Sequence, residues 1–361
     1  MSAAEIAALL AIWSVTGLVT EVPSGALSDR CSRRRVLAAG GAVQAAAYTV
    51  WLVAPSFVGF AVGFVLWGIG TSLFSGTVEA LLYEGLTELG AQDQYASLRG
   101  HVTAATHVGQ VPAAFAVTGL IAWGGYAAVG WVSVGICLAG AALTWTFPDP
   151  PRTSKPPDPD EPTATDAYLR DTPVDDLGYL ATLRAGLAEA VGSRIVRGAL
   201  LAAALVGGID ALEEFFPLIV GERVPVVAVP VVLLVVTLCG AAGAALGGRA
   251  GRLRAGGLAA VVALAGIALV GAEAAGIAGL VAVGLCYGLQ QCALVVTDTR
   301  VQERLSGRAR ATATSVSALG MEVVALAVFA GWAFGGTLAV AVGILAVAPV
   351  VWWTLRSRRG Q

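Results

Sequence analysis

Five carboxylates lie inside apolar stretches of the chain, where an ionisable side chain is costly and therefore a candidate for function. They are Glu21, Asp210, Glu213, Glu214 and Glu322. A low-dielectric environment favours the neutral form of a carboxyl group, so such a group can bind and release a proton near neutral pH. Asp210 stands one helical turn before Glu213 and Glu214, so these three can share a face. We expect the five to carry a proton or contact a substrate; simple exposure to water is the alternative for Glu213 and Glu214.

Few other residues of the sequence indicate a binding, metal or catalytic site. Four glutamines of the apolar stretches either contact a substrate or, as we favour, pack against neighbouring helices: Gln44, Gln110, Gln290 and Gln291. His101 and His107 are six residues apart and face different directions on a helix, so we expect no metal site. The motifs HExxH, GxSxG and GxxxxGK[ST] are absent. We therefore expect no cofactor, no enzymatic activity and no ATP-driven pumping by this chain.

The apolar stretches are long enough to cross a membrane, since a spanning helix needs about 20 residues. We predict an all-α integral membrane protein with eleven spans: 4–24, 36–54, 57–78, 101–122, 126–147, 196–219, 226–247, 256–274, 277–297, 312–333 and 335–355. Placing Met1 outside the cell puts 21 of the 22 basic residues on the inner side, with Arg223 as the exception. Positive charge is retained in cytoplasmic loops. This predicts a multi-pass protein of the cell membrane with a cytoplasmic C-terminus.

The composition supports a membrane protein. Hydrophobic residues make up 57% of the chain and charged residues 13%, against about 25% charged in soluble domains. The five cysteines include no CxxC pair, so neither a disulfide framework nor a zinc site is expected. We expect the lipid bilayer and a small molecule as partners, no nucleic acid, and a monomer.

Residues 148–194 differ in character from the rest. Eight of the 15 prolines lie in 148–173, which predicts a flexible cytoplasmic linker. A leucine-rich stripe after it predicts either a short amphipathic helix on the membrane surface or an extension of the next span. The predicted domains are thus an N-terminal half (1–147) with five spans and a C-terminal half (195–361) with six. A shift of 219 residues places GALSDRCSRRR (25–35) on AALGGRAGRLR (244–254), so the halves look related.

The segment GALSDRCSRRR resembles the loop signature of the major facilitator superfamily, G-x-L-a-D-r-x-G-r-[RK]. Six residues match it, namely Gly25, Leu27, Asp29, Arg30, Arg33 and Arg34, whereas Ser32 replaces its second glycine. The stretch RVQERLSGRARAT (300–312) is similar to the loop before the eleventh helix of that family. The resemblance implies a fold of two pseudo-symmetric helix bundles and a secondary transporter working by alternating access.

The resemblance also implies a gate. In the family this Asp pairs with an Arg and with the start of the eleventh helix, which locks the outward-facing state. The gating loop would comprise Gly25, Asp29, Arg30, Arg33 and Arg34, with gate partners among Glu79, Asp298, Arg308 and Arg310. Arg99 is a further candidate partner of Asp29. The alternative is that the arginines only anchor the topology.

The family has twelve helices, and the sequence predicts eleven. Ser2 and Glu5 form a capping-box pattern, which puts Met1 in the turn before the family's second helix. We expect either a start codon placed too late, which we favour, or a truncated gene. The first is tested by an in-frame apolar run upstream of Met1 in the genomic DNA.

The substrate is less well determined. Few groups suit a strong anion or a sugar, which favours proton-coupled efflux of an amphiphilic or drug-like compound. The alternatives are a sugar, amino acid or other metabolite carrier, and a transport-inactive membrane protein. The stretch 59–70 lacks the Arg of many proton-coupled relatives, and GQVPAAF (109–115) keeps only part of an antiporter motif. Coupling ion and direction therefore stay open.

Overall fold

The computed structural model describes residues 1–75, 77–91, 94–147, 194–249, 253–304 and 310–356. Regular structure in these ranges is helical throughout, without strands. The predicted linker and its amphipathic helix lie outside the described residues, as does Arg308. The chain divides into two compact units, Met1–Pro151 with Pro217–Leu234 and Arg152–Phe216 with Val235–Gln361. The predicted domain boundaries at 147 and 195 stay a prediction.

The first unit is built from long apolar helices joined by short connections. They are α1 (Ala3–Arg30), α2 (Arg33–Val53), α3 (Phe57–Phe74), α4 (Thr77–Glu88) and α5 (Tyr95–Leu143). Helix α3 packs against α1 and α2, and α2 also packs against α5. Many large apolar side chains remain exposed, among them Trp123 at 83%, as expected of surfaces that face lipid.

The start of α1 follows the predicted capping box. The Ser2 backbone N–H donates to Glu5 Oε2 at 2.6 Å, and the Glu5 N–H donates to Ser2 Oγ at 3.2 Å. Two of the unsatisfied donors of the first turn are thereby bonded. This prediction is confirmed.

The signature segment forms the junction of α1 and α2. Helix α1 continues to Arg30, α2 begins at Arg33, and only Cys31 and Ser32 lie between. Ser32 has φ −50° and ψ 127°, a conformation open to any residue. The serine in place of the signature's glycine is therefore accommodated without backbone strain.

The remaining described helices lie in the second unit and in the segment Pro217–Leu234 of the first unit. They are α6 (Arg194–Gly208), a 3₁₀ stretch (Ile209–Phe215), α7 (Phe216–Gly221), α8 (Val229–Arg249), α9 (Ala255–Ala274), α10 (Gly279–Arg304) and α11 (Arg310–Leu355). Single 3₁₀ turns precede α8 and α10. Helix α11 packs against α6 and α9, and α10 packs against α6 and α9.

Helices α5 and α11 each contain a sharp turn at a glycine pair. Gly125 has φ 63° and ψ −160° after Gly124, and Gly336 has φ 57° and ψ −150° after Gly335. These positive φ values are open to glycine but strained for other residues. Each element is therefore two helices in succession, as the predicted spans at 101–122 and 126–147, and at 312–333 and 335–355, anticipate.

Eight stretches of the described residues are long and apolar enough to cross a membrane. Two of them, Val108–Thr146 and Ser317–Leu355, contain the glycine-pair turns. The predicted span 196–219 is not a single helix but α6, a 3₁₀ stretch and α7. The predicted span 57–78 is also too long, because Ser75 leaves the helix with ψ 129°. The total of eleven spans stays a prediction.

Candidate functional site

The three clustered carboxylates of the second unit lie on the 3₁₀ stretch Ile209–Phe215. Pro217 has no N–H, so it cannot bond to the carbonyl of Glu213 as an α-helix requires. The N–H of Phe216 bonds to that carbonyl instead, which closes the tighter i→i+3 ring of a 3₁₀-helix. A run of seven such residues is unusually long, and 3₁₀ segments within a helix often mark a hinge.

Two of the carboxylates are bonded to α10. Gln291 donates from Nε2 to Asp210 Oδ1 at 2.7 Å, and the Tyr287 hydroxyl donates to Glu213 Oε2 at 2.6 Å. Residues three apart eclipse in a 3₁₀-helix, and residues four apart share a face of an α-helix. The two hydrogen-bonded pairs therefore lie one turn apart, between segments that run in opposite directions. We call these two pairs the rungs. Glu214 lies off this face, so the expected face of three carboxylates is reduced to two.

A small pocket lies beside these rungs, wholly within the second unit. The space that it encloses holds about one water molecule, far less than the roughly 300–1,000 Å³ of a drug-sized site. Its polar lining comes from Asp210, Glu213, Tyr287 and Gln290, and its apolar lining from Ile209, Leu212, Phe216 and Cys286. The pocket is therefore a gap between the 3₁₀ stretch and α10 that is too small for a substrate in this conformation.

Gln290 is the most deeply buried polar residue of this pocket, with 3% of its surface exposed. Its Nε2 donates to the carbonyl oxygen of Val206, at the end of α6. Its Oε1 has no hydrogen-bond partner in the described part of the chain. An unsatisfied buried acceptor costs about 1–3 kcal/mol, so this oxygen lowers the stability of the packing between α6 and α10.

Close packing on α11 holds the 3₁₀ stretch in place. A Cβ at Gly208 would collide with Val324 and with the carbonyl oxygen of Met321. Phe215 stacks on Trp332, with ring centroids 4.2 Å apart. The predicted site residue Glu322 follows Met321 on α11 and is half-buried; the structure does not place it in the pocket lining.

The predicted carboxylate of the first unit, Glu21, has different surroundings from those of Asp210 and Glu213. Glu21 lies on α1, is exposed, and accepts a hydrogen bond from Ser75 Oγ at 2.7 Å. One turn away, Thr20 and Ser72 share a hydrogen bond of 2.7 Å between their hydroxyls. These contacts tie α1 to the end of α3.

The signature segment makes a further contact. Arg33 donates to Ser28 Oγ at 2.7 Å, and Thr77 Oγ1 donates to the same oxygen at 2.9 Å. Ser28 and Thr77 are buried. Ser28, near the end of α1, thereby connects the start of α2 with the start of α4.

The remaining gate residues are only partly described. The backbones of Gly25, Asp29, Arg30, Glu79 and Arg310 are helical, and their side chains lie outside the described part. Asp298 is exposed near the end of α10. Their gating roles stay predictions.

Sequence reasoning missed Tyr287 and Ser75, which donate to the predicted carboxylates. Tyr287 precedes Gln291 by one helical turn, so the spacing of polar residues on α10 was the available signal. Ser75 carries no comparable signal, because its contact arises where α3 ends.

Comparison with known proteins finds a matching protein family. The model of the Major Facilitator Superfamily matches residues 1–325. "Uncharacterized MFS-type transporter Rv2456c" of Mycobacterium tuberculosis (strain ATCC 25618 / H37Rv) is 31% identical over 148 residues, 40% of this chain and 34% of that protein. The match thus spans about a third of the length of this curated relative.

Solved structures share the fold. A variant of the nucleoside transporter NupG superposes with a TM-score of 0.69 at 13% identity, covering 98% of this chain and 90% of that one. A D-xylose-proton symporter superposes with a TM-score of 0.63 at 15% identity, covering 98% and 88%.

Proposed function

Because the chain belongs to the major facilitator superfamily, a family of transporters rather than enzymes, we propose that it is a secondary active transporter that moves a small solute by alternating access. The proposal extends to proton coupling through Asp210 and Glu213. Its main support is the pair of rungs that bond these carboxylates to α10 from a 3₁₀ stretch.

Proton binding by this pair has a physical basis. Asp210 and Glu213 are acidic groups on one face of the 3₁₀ stretch, and each is hydrogen-bonded to a polar side chain of α10. Other titratable groups lie on the neighbouring elements. Glu214 is on the same stretch, and Tyr287 on α10 donates a hydrogen bond to Glu213. Glu322 is on α11, which packs against this stretch. Loading and release of one proton changes the charge on a segment whose geometry is suited to a hinge.

For the substrate, we propose an amphiphilic or drug-like compound and export as the direction. Among the residues that the structure describes, the pocket lining includes apolar side chains and no basic one, which supports this choice. A metabolite carrier remains the second candidate, since proteins of this fold include a nucleoside transporter and a D-xylose-proton symporter.

The setting of this activity is also a proposal. We place the chain in the cell membrane as a monomer with its C-terminus in the cytoplasm, supported by the distribution of arginines. We retain Asp29, Arg30 and Arg34 as gating residues, and Arg33 through its bond to Ser28.

The test is flux in proteoliposomes that contain the full chain, against a panel of amphiphilic compounds, with and without an imposed proton gradient. We expect gradient-dependent flux that the double variant Asp210→Asn, Glu213→Gln abolishes. Glu222→Gln is the matched control, because Glu222 is exposed and lies outside the pocket. Equal flux with and without the gradient would contradict proton coupling.

A further inference from the structure

The inner end of the second unit has an exposed surface that combines arginines with tryptophans. We call it the inner basic patch, and it comprises Arg254, Trp352, Trp353 and Arg356. Arg254 directly precedes α9, and the other three residues lie at the end of α11 or directly after it. All four side chains are exposed, the two tryptophans at 46% and 52%. In the orientation that we propose, this surface lies where the inner leaflet of the membrane meets water.

Helices α9 and α11 bring the members of the patch together. The two helices pack against each other, and a Cβ at Gly256, on the first turn of α9, would lie 3.9 Å from Trp352 Cδ1. Arg254 precedes Gly256 by two residues, a backbone distance of at most about 7 Å. The patch thus combines an arginine from the start of α9 with an arginine from the end of α11.

The positive charge of the patch is not neutralised by the described part of the chain. The guanidinium carbon of Arg356 lies 4.9 Å from the centroid of the Trp352 ring, a cation–π contact that uses none of the N–H donors of the guanidinium in an ion pair. Among the described residues, neither Arg254 nor Arg356 forms an ion pair with a carboxylate. Two cations therefore face the membrane surface without a protein counterion in this part of the chain.

The side chains of the patch favour a ligand with an acidic head and an apolar body. The planar fork of an arginine matches the oxygens of a phosphate group. Trp353 and Val350 are three residues apart on α11, so they share a face, and both are exposed. A soluble anion would contact only the arginines, whereas a phospholipid would contact both the arginines and this apolar face.

From this arrangement we infer that the inner basic patch binds a phospholipid with an anionic head group. Its phosphate accepts hydrogen bonds from Arg254 and Arg356, and its acyl chains lie along Trp353 and Val350. The inference uses the proposed orientation in the membrane but neither the proposed substrate nor proton coupling.

The test is native mass spectrometry of the purified full-length protein in an uncharged detergent, titrated with dioleoylphosphatidylglycerol or dioleoylphosphatidylcholine. The two lipids have the same acyl chains, but only the first has a net negative charge. An arginine near a membrane surface strengthens the binding of anionic lipid by about fivefold. Because the patch has two arginines, we expect phosphatidylglycerol to bind about 25-fold more tightly than phosphatidylcholine.

Single variants assign this preference to the patch. Arg254→Gln and Arg356→Gln should each weaken the binding of phosphatidylglycerol by about fivefold and leave that of phosphatidylcholine nearly unchanged. Arg249→Gln is the matched control and should change neither, because Arg249 is exposed at the end of α8, which adjoins α10 there through Gly247. Thermal unfolding reports whether each variant is folded. If one variant of the patch does not fold, the other variant and the comparison of the two lipids still decide.

Three results would overturn the inference: equal affinity for the two lipids, an equal loss in Arg249→Gln, or displacement of phosphatidylglycerol by millimolar glycerol phosphate. The second would mean a general attraction of anionic lipid to the basic inner side, and the third a site for soluble phosphates. The assay contains neither a gradient nor a transported solute, so its outcome is separate from that of the flux experiment.

Discussion

The two units share a backbone feature but hold their carboxylates differently. Both join two helices through a glycine pair with nearly the same dihedral angles, at Gly125 and at Gly336. In the first unit Glu21 lies on a continuous α-helix, exposed, with a bond from Ser75. In the second, Asp210 and Glu213 lie on a 3₁₀ stretch and line a small pocket; Asp210 is half-buried, whereas Glu213 is exposed. The common scaffold thus carries different chemistry in its two units, which places the proposed coupling in the second.

The largest effect expected from this difference is on transport. Asp210→Asn should reduce gradient-driven flux in proteoliposomes to the level of protein-free vesicles, because it removes a proton-binding group from the rung with Gln291. Glu21→Gln makes the equivalent isosteric change in the first unit, where the side chain is exposed, and should leave most of the flux.

Both variants should insert equally well, which their yield from membranes checks. If Glu21→Gln abolished flux while Asp210→Asn retained it, the assignment of coupling to the second unit would be wrong.

The sequence predicts local features well and distant contacts poorly. The capping box of Ser2 and Glu5 is confirmed because both partners lie within one helical turn. The carboxylates stand out because an ionisable group in an apolar stretch is costly. The bond from Tyr287 to Glu213 joins residues 74 apart, and no pattern in a single sequence connects them.

The 3₁₀ stretch illustrates a second limit. Its apolar and acidic residues fit an α-helical span as well, and the predicted span 196–219 treats them so. The missing N–H of Pro217 and the packing of Gly208 on α11 change the helix type. The first is readable from the sequence, but the second depends on tertiary structure.

A smaller effect, on stability, tests what the units have in common. Gly125→Ala and Gly336→Ala should each lower the free energy of unfolding by about 1–3 kcal/mol, because an alanine is strained at these positive φ values. SDS titration in mixed micelles measures this. Gly119→Ala and Gly343→Ala are the matched controls on the same helices, since a Cβ there meets nothing within 4 Å.

Unequal losses at Gly125 and Gly336 would show that the two turns contribute differently to the free energy of unfolding. The similarity of the units would then be limited to backbone geometry. A loss as large at the control positions would point to a general sensitivity of these helices to added methyl groups.

The smallest effects concern the hydroxyl groups that donate to the carboxylates. Ser75→Ala should lower the free energy of unfolding by about 0.5 kcal/mol, because its bond to Glu21 is exposed and water can replace it. Tyr287→Phe should cost a similar amount, about 0.5 kcal/mol, because its partner Glu213 is exposed as well. The same SDS titration compares the two. A clearly larger loss for Tyr287→Phe would mean that Glu213 is held more tightly than its exposure indicates, and the difference between the two units would then extend from Asp210 to Glu213.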